Sequence, residues 1–332
     1  MKTFHVFLLL LSSVSIARAA VTLEWVSVGD AGNANDTTGF GGVAYGYQIM
    51  KYEVTNAQYA EFLNTVDAAG TNPNGIWNSN MGSNARGGIS FTAGNAGGSK
   101  YAVKTDMGDK PVNYVSFSDS MRFANWIHNG QGAGSTESGA YDMTVSASTV
   151  IHSGLANVWL PTANEWYKAA YYQPVGAGGD TDSYWRYATA SNTVPTVATS
   201  TITGTILNPG ANVANYGSGA DWNGQDGNVT TVGSAGLLSA SYYGTFDQSG
   251  NVQEWTEAIS GGNRGLRGGS WNLGESIMRS TNISSLAPNN ESSAIGFRLA
   301  SAFAVPEPSR VMLTLAGVFG LLMRRRRLLF AR

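Results

Sequence analysis

Not one cysteine occurs among these 332 residues, while 42 are glycine. That pair of facts constrains the fold more than any motif does. So much glycine favours turns and loops over long helices, because glycine loses the most backbone entropy in a regular element. Without thiols, no disulfide can fasten those loops. Stability has to come from one sizeable core or from bound ions. Two stretches, Gly70 to Lys100 and Gly176 to Thr205, carry no usable 3.6 or 2.0 hydrophobic period and are expected to be loop. No internal repeat and no Pro-rich or charged linker divides the chain, so a single domain with elaborated loops is expected.

The ends read as addresses. Lys2, an apolar run from Phe4 to Leu11 and then Ala17-Arg18-Ala19 have the order of a secretory signal over residues 1–19. At the other end, Val305-Pro306-Glu307-Pro308-Ser309 precedes an apolar run from Val311 to Met323 and then Arg324 to Arg327. The run is short against the ~20 residues of a stable spanning helix, and the arginines would stay on the cytoplasmic side. This tail, residues 302–332, resembles the PEP-CTERM sorting signal. The resemblance implies exosortase-type sorting machinery as a partner, transient anchoring in the membrane, and a destination at the cell surface or in the matrix of a Gram-negative bacterium.

The domain between these ends, residues 20–301, is acidic. Eight of the 20 Lys and Arg, but one of the 22 Asp and Glu, lie in the ends, leaving 12 against 21, a balance of −9. Such a surface excludes nucleic acid as a natural partner and favours a hard cation such as calcium. The mature chain holds only His128 and His152 and no thiol, a poor donor set for transition metals.

Three helices are announced by their caps. Thr55-Asn56-Ala57-Gln58 is a capping box, followed by Tyr59, Phe62 and Leu63 on one face. Ser116-Phe117-Ser118-Asp119 is a weaker version, leading to Phe123, Trp126 and Ile127. Thr162-Ala163-Asn164-Glu165 is the third, leading to Trp166, Ala169 and Ala170, with Pro161 just before the cap. Around and after these boxes lie Tyr47 to Asn56, Lys110 to Ser116, Trp159 to Trp166, Gly250-Asn251-Val252-Gln253-Glu254-Trp255, Arg267-Gly268-Gly269-Ser270-Trp271 and Gly296-Phe297-Arg298-Leu299. In this order the six segments resemble the formylglycine-generating-enzyme (sulfatase-modifying factor) domain family, from about Leu23 to Ala300. The resemblance implies an α+β fold, irregular, loop-rich and C-type-lectin-like.

It also implies sites. The family's structural calcium site maps onto Asp247, Gly250, Val252 and Glu254, with side-chain oxygens from the two acids and carbonyls from the other two. A second maps onto Asn215, Tyr216, Asp226 and Asn228. Both would stand in for absent disulfides. The oxygen-rich donor types suit calcium. Family catalysts carry two cysteines after the Gly-Gly-Ser turn that bind copper and oxidise a substrate cysteine. Here Leu273 and Met278 stand at those places. Neither can supply a thiolate, so copper and formylglycine-generating activity are not expected. Ser270 and Trp271, beside the family's cleft, are the ligand candidates.

Arg267 and Arg298 are expected to pair with a buried carboxylate such as Glu254 or Glu165. Trp159, Trp166, Trp255 and Trp271 are expected chiefly in the core. The leading functional expectation is an exported, surface-sorted, non-catalytic domain that binds an envelope or matrix ligand, with saccharide as one class. The alternatives are an enzyme of cysteine-independent chemistry and a structural component of an exopolysaccharide matrix.

Overall fold

A computed structural model describes residues 20–302. The expected signal at 1–19 and the tail from 303 onward lie outside the described residues. The first half contains β1 (Trp25–Val28), β2 (Tyr47–Met50), α1 (Asn56–Val66), α2 (Ser79–Ser83), β3 (Ile89–Phe91), β4 (Tyr101–Val103) and α3 (Phe117–His128). There follow β5 (Val158–Trp159), α4 (Ala163–Tyr171), β6 (Thr196–Val197) and β7 (Val213–Ala214). The last part holds β8 (Gln253–Ser260), β9 (Asn263–Arg267), β10 (Ser284–Leu286), β11 (Ile295–Gly296) and β12 (Ala300–Ser301). Short helices with several small sheets make a mixed α+β fold. No helix among the described residues is long and apolar enough to cross a membrane.

All three capping boxes form. Thr55, Ser116 and Thr162 each accept from the backbone N–H three residues on, and Gln58, Asp119 and Glu165 each reach back to the cap N–H. The Ser116 box, weaker by sequence, closes fully, with the Ser116 hydroxyl also 2.6 Å from Asp119 Oδ2. The expectation of unbroken loop between Gly70 and Lys100 is corrected. Asn78 caps α2, and β3 leads to a hairpin partner in β4, paired Ile89 to Val103. These elements are too short to leave a period.

The helices bury aromatic faces against the C-terminal segment. Phe62 lies 5.4 Å from both Phe123 and Trp126, joining α1 to α3. Phe297 closes the cluster at 5.4 Å from Phe123 and 6.4 Å from Tyr59. Such ring pairs are each worth about 0.5–1.5 kcal/mol beyond area burial.

Two four-stranded sheets flank this core, in the orders β1-β2-β12-β5 and β10-β9-β8-β11. The two residues of β12 bridge distant chain segments, Ala300 pairing with Ile49 on one side and Trp159 on the other. β11 runs parallel to β8, with Gly296 opposite Glu254. Gly296 is required there: a Cβ would stand 2.7 Å from Val112 O and 2.8 Å from a Val252 methyl. From that glycine the extended chain alternates, sending Phe297 into the ring cluster and Arg298 toward Glu254. The fold therefore converts Gly-Phe-Arg into one apolar and one ionic anchor.

Candidate functional site

The Gly268-Gly269 turn has φ of +95° and +73°, and a Cβ on Gly269 would lie 2.7 Å from Met278 Cγ. The turn thus presses directly on the Met278 segment. Met278 is fully buried with Tyr187, Ala214 and Tyr216, and Tyr171 donates to its carbonyl at 3.0 Å. Leu273 is half-buried, its carbonyl accepting from Gly217 N at 2.9 Å.

Ser270 and Trp271 do not line an open cleft. Ser270 is fully buried, its hydroxyl 2.9 Å from Asn272 Oδ1. Trp271 is 5 % exposed, donates to Ser293 O at 3.1 Å, and carries the Arg86 guanidinium 4.4 Å from its ring centre. Trp271 is therefore a core side chain, as expected for the tryptophans, and lies under a cationic cover. Trp159, Trp166 and Trp255 are buried as well.

The first expected calcium set divides. Asp247 Oδ2 accepts from Gly233 N at 2.5 Å, and burial pushes its carboxyl up to about 6. Both oxygens of Glu254 are engaged: Arg298 Nε donates to Oε2 at 2.6 Å and Nη2 to Oε1 at 2.8 Å. Trp166 Nε1 adds a third bond to Oε2 at 2.9 Å. Arg298 also donates to the carbonyls of Met50, Lys51 and Phe246. Of the pairings expected for the arginines, Arg298 with Glu254 is the one that forms. Glu254 thus already accepts three hydrogen bonds, which leaves about one lone-pair site of its carboxylate open to a cation. Gly250 and Val252 are buried in the turn between the two acids, and Gly250 N donates to Gly268 O at 2.8 Å.

The second set abuts the first, since Asn215 bridges Gly250 and its carbonyl accepts from Asn251 N at 2.8 Å. Asn215 Nδ2 donates to Asn228 O at 2.9 Å, while its buried Oδ1 has no partner, which suits a cation. Asn228 is fully buried, with its Oδ1 accepting from Val229 N. Tyr216 donates through its hydroxyl to Pro195 O. Asp226 is exposed, and its carbonyl accepts from Arg86. This set fits in part. Among the described residues no three His, Asp or Glu side chains converge as a metal centre.

Arg267 departs from expectation. Its Nη1 donates to Ser280 O and Asn282 O, and its plane stacks on Phe40 at 4.6 Å and Tyr167 at 4.9 Å. Among the described residues no carboxylate pairs with it, and Nη2 has no partner. Burial lowers its pKa. Glu165 instead holds Tyr45, Trp159 and the α4 cap.

Two features escaped the sequence reading. Glu53 is fully buried and neither carboxylate oxygen has a hydrogen-bond partner. Burial pushes its pKa well above the carboxylate range, and Asp247 is the foremost charge adding to that. Its signal was an acid inside the inward run from Ile49 to Val54. The second is His152. Its Nδ1 lies 3.0 and 2.9 Å from the Glu257 oxygens, and its ring stacks on Trp159 at 4.7 Å. Burial works to lower the His152 pKa, but the Glu257 contacts outweigh it and the net shift is upward. Tyr141 donates to the same carboxylate at 2.5 Å. Among the described residues no hydroxyl bonds Nε2.

A family model described as the sulfatase-modifying factor enzyme 1-like domain matches residues 40–303. No curated protein matches the chain. Among solved structures, CarF is 20% identical with a TM-score of 0.53, over 85% of this chain and 99% of its own. Treponema denticola variable protein 1 is 20% identical, covers 86% and 94% of the two chains and has a TM-score of 0.46. PvdO from Pseudomonas aeruginosa is 16% identical, over 84% and 92%, with a TM-score of 0.41. At these identities the CarF likeness speaks for the fold alone. The chain belongs to the family of the sulfatase-modifying factor enzyme 1-like domain.

Proposed function

We propose that this chain is an exported, surface-sorted member of its family that has exchanged thiol chemistry for binding. The ligand is a component of the envelope or matrix, with saccharide as the class to test first. The carrying observation is Met278 packed against the Gly269 turn, with Leu273 at the other thiol position and no cysteine anywhere in the chain. Thiolate is the species such oxidation needs, and no side chain here supplies it. The C-type-lectin-like description of the fold, the handover of the tail to an exosortase-type protease and structural calcium belong to this same reading.

With Trp271 covered, the ligand surface is placed at Tyr45. Tyr45 is 48 % exposed, its hydroxyl is anchored on Glu165 at 2.9 Å, and burial, then Glu165 and last Glu257, raise its pKa. A rigid aromatic face beside carboxylates suits sugar hydroxyls. Binding of the purified full-length protein to the exopolysaccharide of its own host, with and without Tyr45→Ala, tests the reading. A loss of roughly tenfold or more in affinity supports it. A folded protein that binds no exopolysaccharide sinks it, and self-association in that case favours the matrix-component reading.

One observation favours an enzymatic alternative. The Glu257–His152 pair holds Nδ1 and leaves Nε2 unbonded, as a general base requires. The reading lacks a nucleophile, and it predicts turnover that is abolished by His152→Gln.

A further inference from the structure

Tyr45 is the outer end of a chain of contacts that runs inward to a buried carboxylate. Its hydroxyl donates to Glu165 Oε1 at 2.9 Å, and Glu165 is fully buried. The other oxygen, Oε2, accepts from Trp159 Nε1 at 3.1 Å and Thr162 N at 2.8 Å. All three donors are neutral. Lys168, one turn further along α4, gives its ammonium to Asp30 O instead, and among the described residues no lysine or arginine pairs with Glu165. The nearby Glu257 meets only the His152 imidazole, a cation when that ring is protonated. Burial works to lower the His152 pKa, yet Glu257, with Glu165 adding to it, turns the net shift upward, so the local field favours a positive charge. Tyr47 holds the Tyr45 ring in a T-shaped contact at 6.3 Å and donates through its own hydroxyl to Glu165 O.

We propose that the group taken at Tyr45 is an organic ammonium, so that the saccharide bound there is one with free amino groups. This rests on the reading that places the ligand surface at Tyr45, and it names the sugar class. An aromatic face is negative, and a phenol that donates to a carboxylate passes electron density to its ring. A cation over such a ring gains both the ring's attraction and that of the carboxylate behind it, which no cation of the described residues screens. A metal ion fits poorly, because it needs converging oxygen ligands and no three His, Asp or Glu side chains converge among the described residues. An ammonium needs only the ring face. The balance of −9 over residues 20–301 also draws a polyamine from a distance and repels chains of uronic acid.

The test is titration of the purified full-length protein with three oligosaccharides of one length: glucosamine oligomers with free amines, their N-acetylated counterparts, and oligomers of a uronic acid. The free-amine form should bind roughly tenfold tighter than the N-acetylated form, with the uronate weakest. Tyr45→Leu, which removes the ring and leaves the net charge untouched, should abolish most of that preference while thermal unfolding shows the variant folded. Tetramethylammonium should compete with the free-amine oligomer on the wild type. Equal affinity for the amine and N-acetyl forms, both lost in Tyr45→Leu, overturns the ammonium assignment and leaves the saccharide reading standing. A preference for amines that persists in folded Tyr45→Leu also overturns it, since the net charge of the domain then accounts for the binding. Binding of none of the three overturns this inference, and the exopolysaccharide assay then decides the reading beneath it.

Discussion

Arg298 grips Glu254 through two parallel hydrogen bonds of 2.6 and 2.8 Å, and neither side chain is exposed at all. The pair locks the segment after β11 onto β8, Trp166 brings α4 to the same carboxylate, and the remaining guanidinium protons tie down the end of β2 and the carbonyl of Phe246. Cutting it from the cationic side leaves a buried, uncompensated carboxylate. Arg298→Leu should therefore destabilise the domain by about 3–5 kcal/mol, read from urea unfolding. A cost under about 1 kcal/mol would mean that the pair is not the fold's central tie.

The helix caps make a graded prediction. Thr162→Ala removes one acceptor from α4 and should cost about 1 kcal/mol. Glu165→Ala should cost distinctly more in the same assay, because Thr162 N, Trp159 Nε1 and the Tyr45 hydroxyl all donate to that carboxylate. Equal costs would show that only the cap bond matters.

Asp119 predicts a pH dependence. Burial pushes its carboxyl up to about 7 even though Ser116 bonds and Arg122 favour the charged form, with Glu291 adding to the rise. In the unfolded chain the group titrates near ~3.9. The folded state therefore holds the extra proton between those values, so its contribution is full below about pH 4 and is lost as pH rises through about 7. Asp119→Asn should flatten stability over that window in chemical unfolding across pH. An unchanged slope would contradict the assignment.

His152 acts in the same direction for a different reason. Its folded pKa lies above the unfolded value of about 6.5, so its contribution is full below that value and lost as pH rises through the folded pKa. Proton NMR titration of the ring should show the raised value. Glu257→Gln should bring it down, and a midpoint unmoved by that change would contradict the pairing.

How far the sequence was legible follows from the range of each signal. The helix starts at Thr55, Ser116 and Thr162 were readable because a capping box is local, spanning four residues. Strands such as β11 and β12, two residues each, leave no period to detect and exist only through their partners. Arg298 could be paired with Glu254 from charge scarcity, whereas Arg267 could not be placed. Its partners are the rings of Phe40 and Tyr167, which carry no charge pattern. Trp271 was readable as a core side chain but its cationic cover was not, since Arg86 reaches it from the Gly70–Lys100 stretch that has no usable period. The calcium ligands followed from the family resemblance, which cannot tell that Glu254 also meets the Arg298 guanidinium or that the Glu53 oxygens have no hydrogen-bond partner.

The most direct test of the central claim, a family scaffold without its thiol chemistry, is mass spectrometry of a cysteine-containing sulfatase peptide. The peptide is incubated with the purified full-length protein, copper and oxygen. The account predicts that the peptide cysteine is not converted to formylglycine. Conversion to formylglycine that depends on the protein would contradict it, because Leu273 and Met278 would then have been no obstacle.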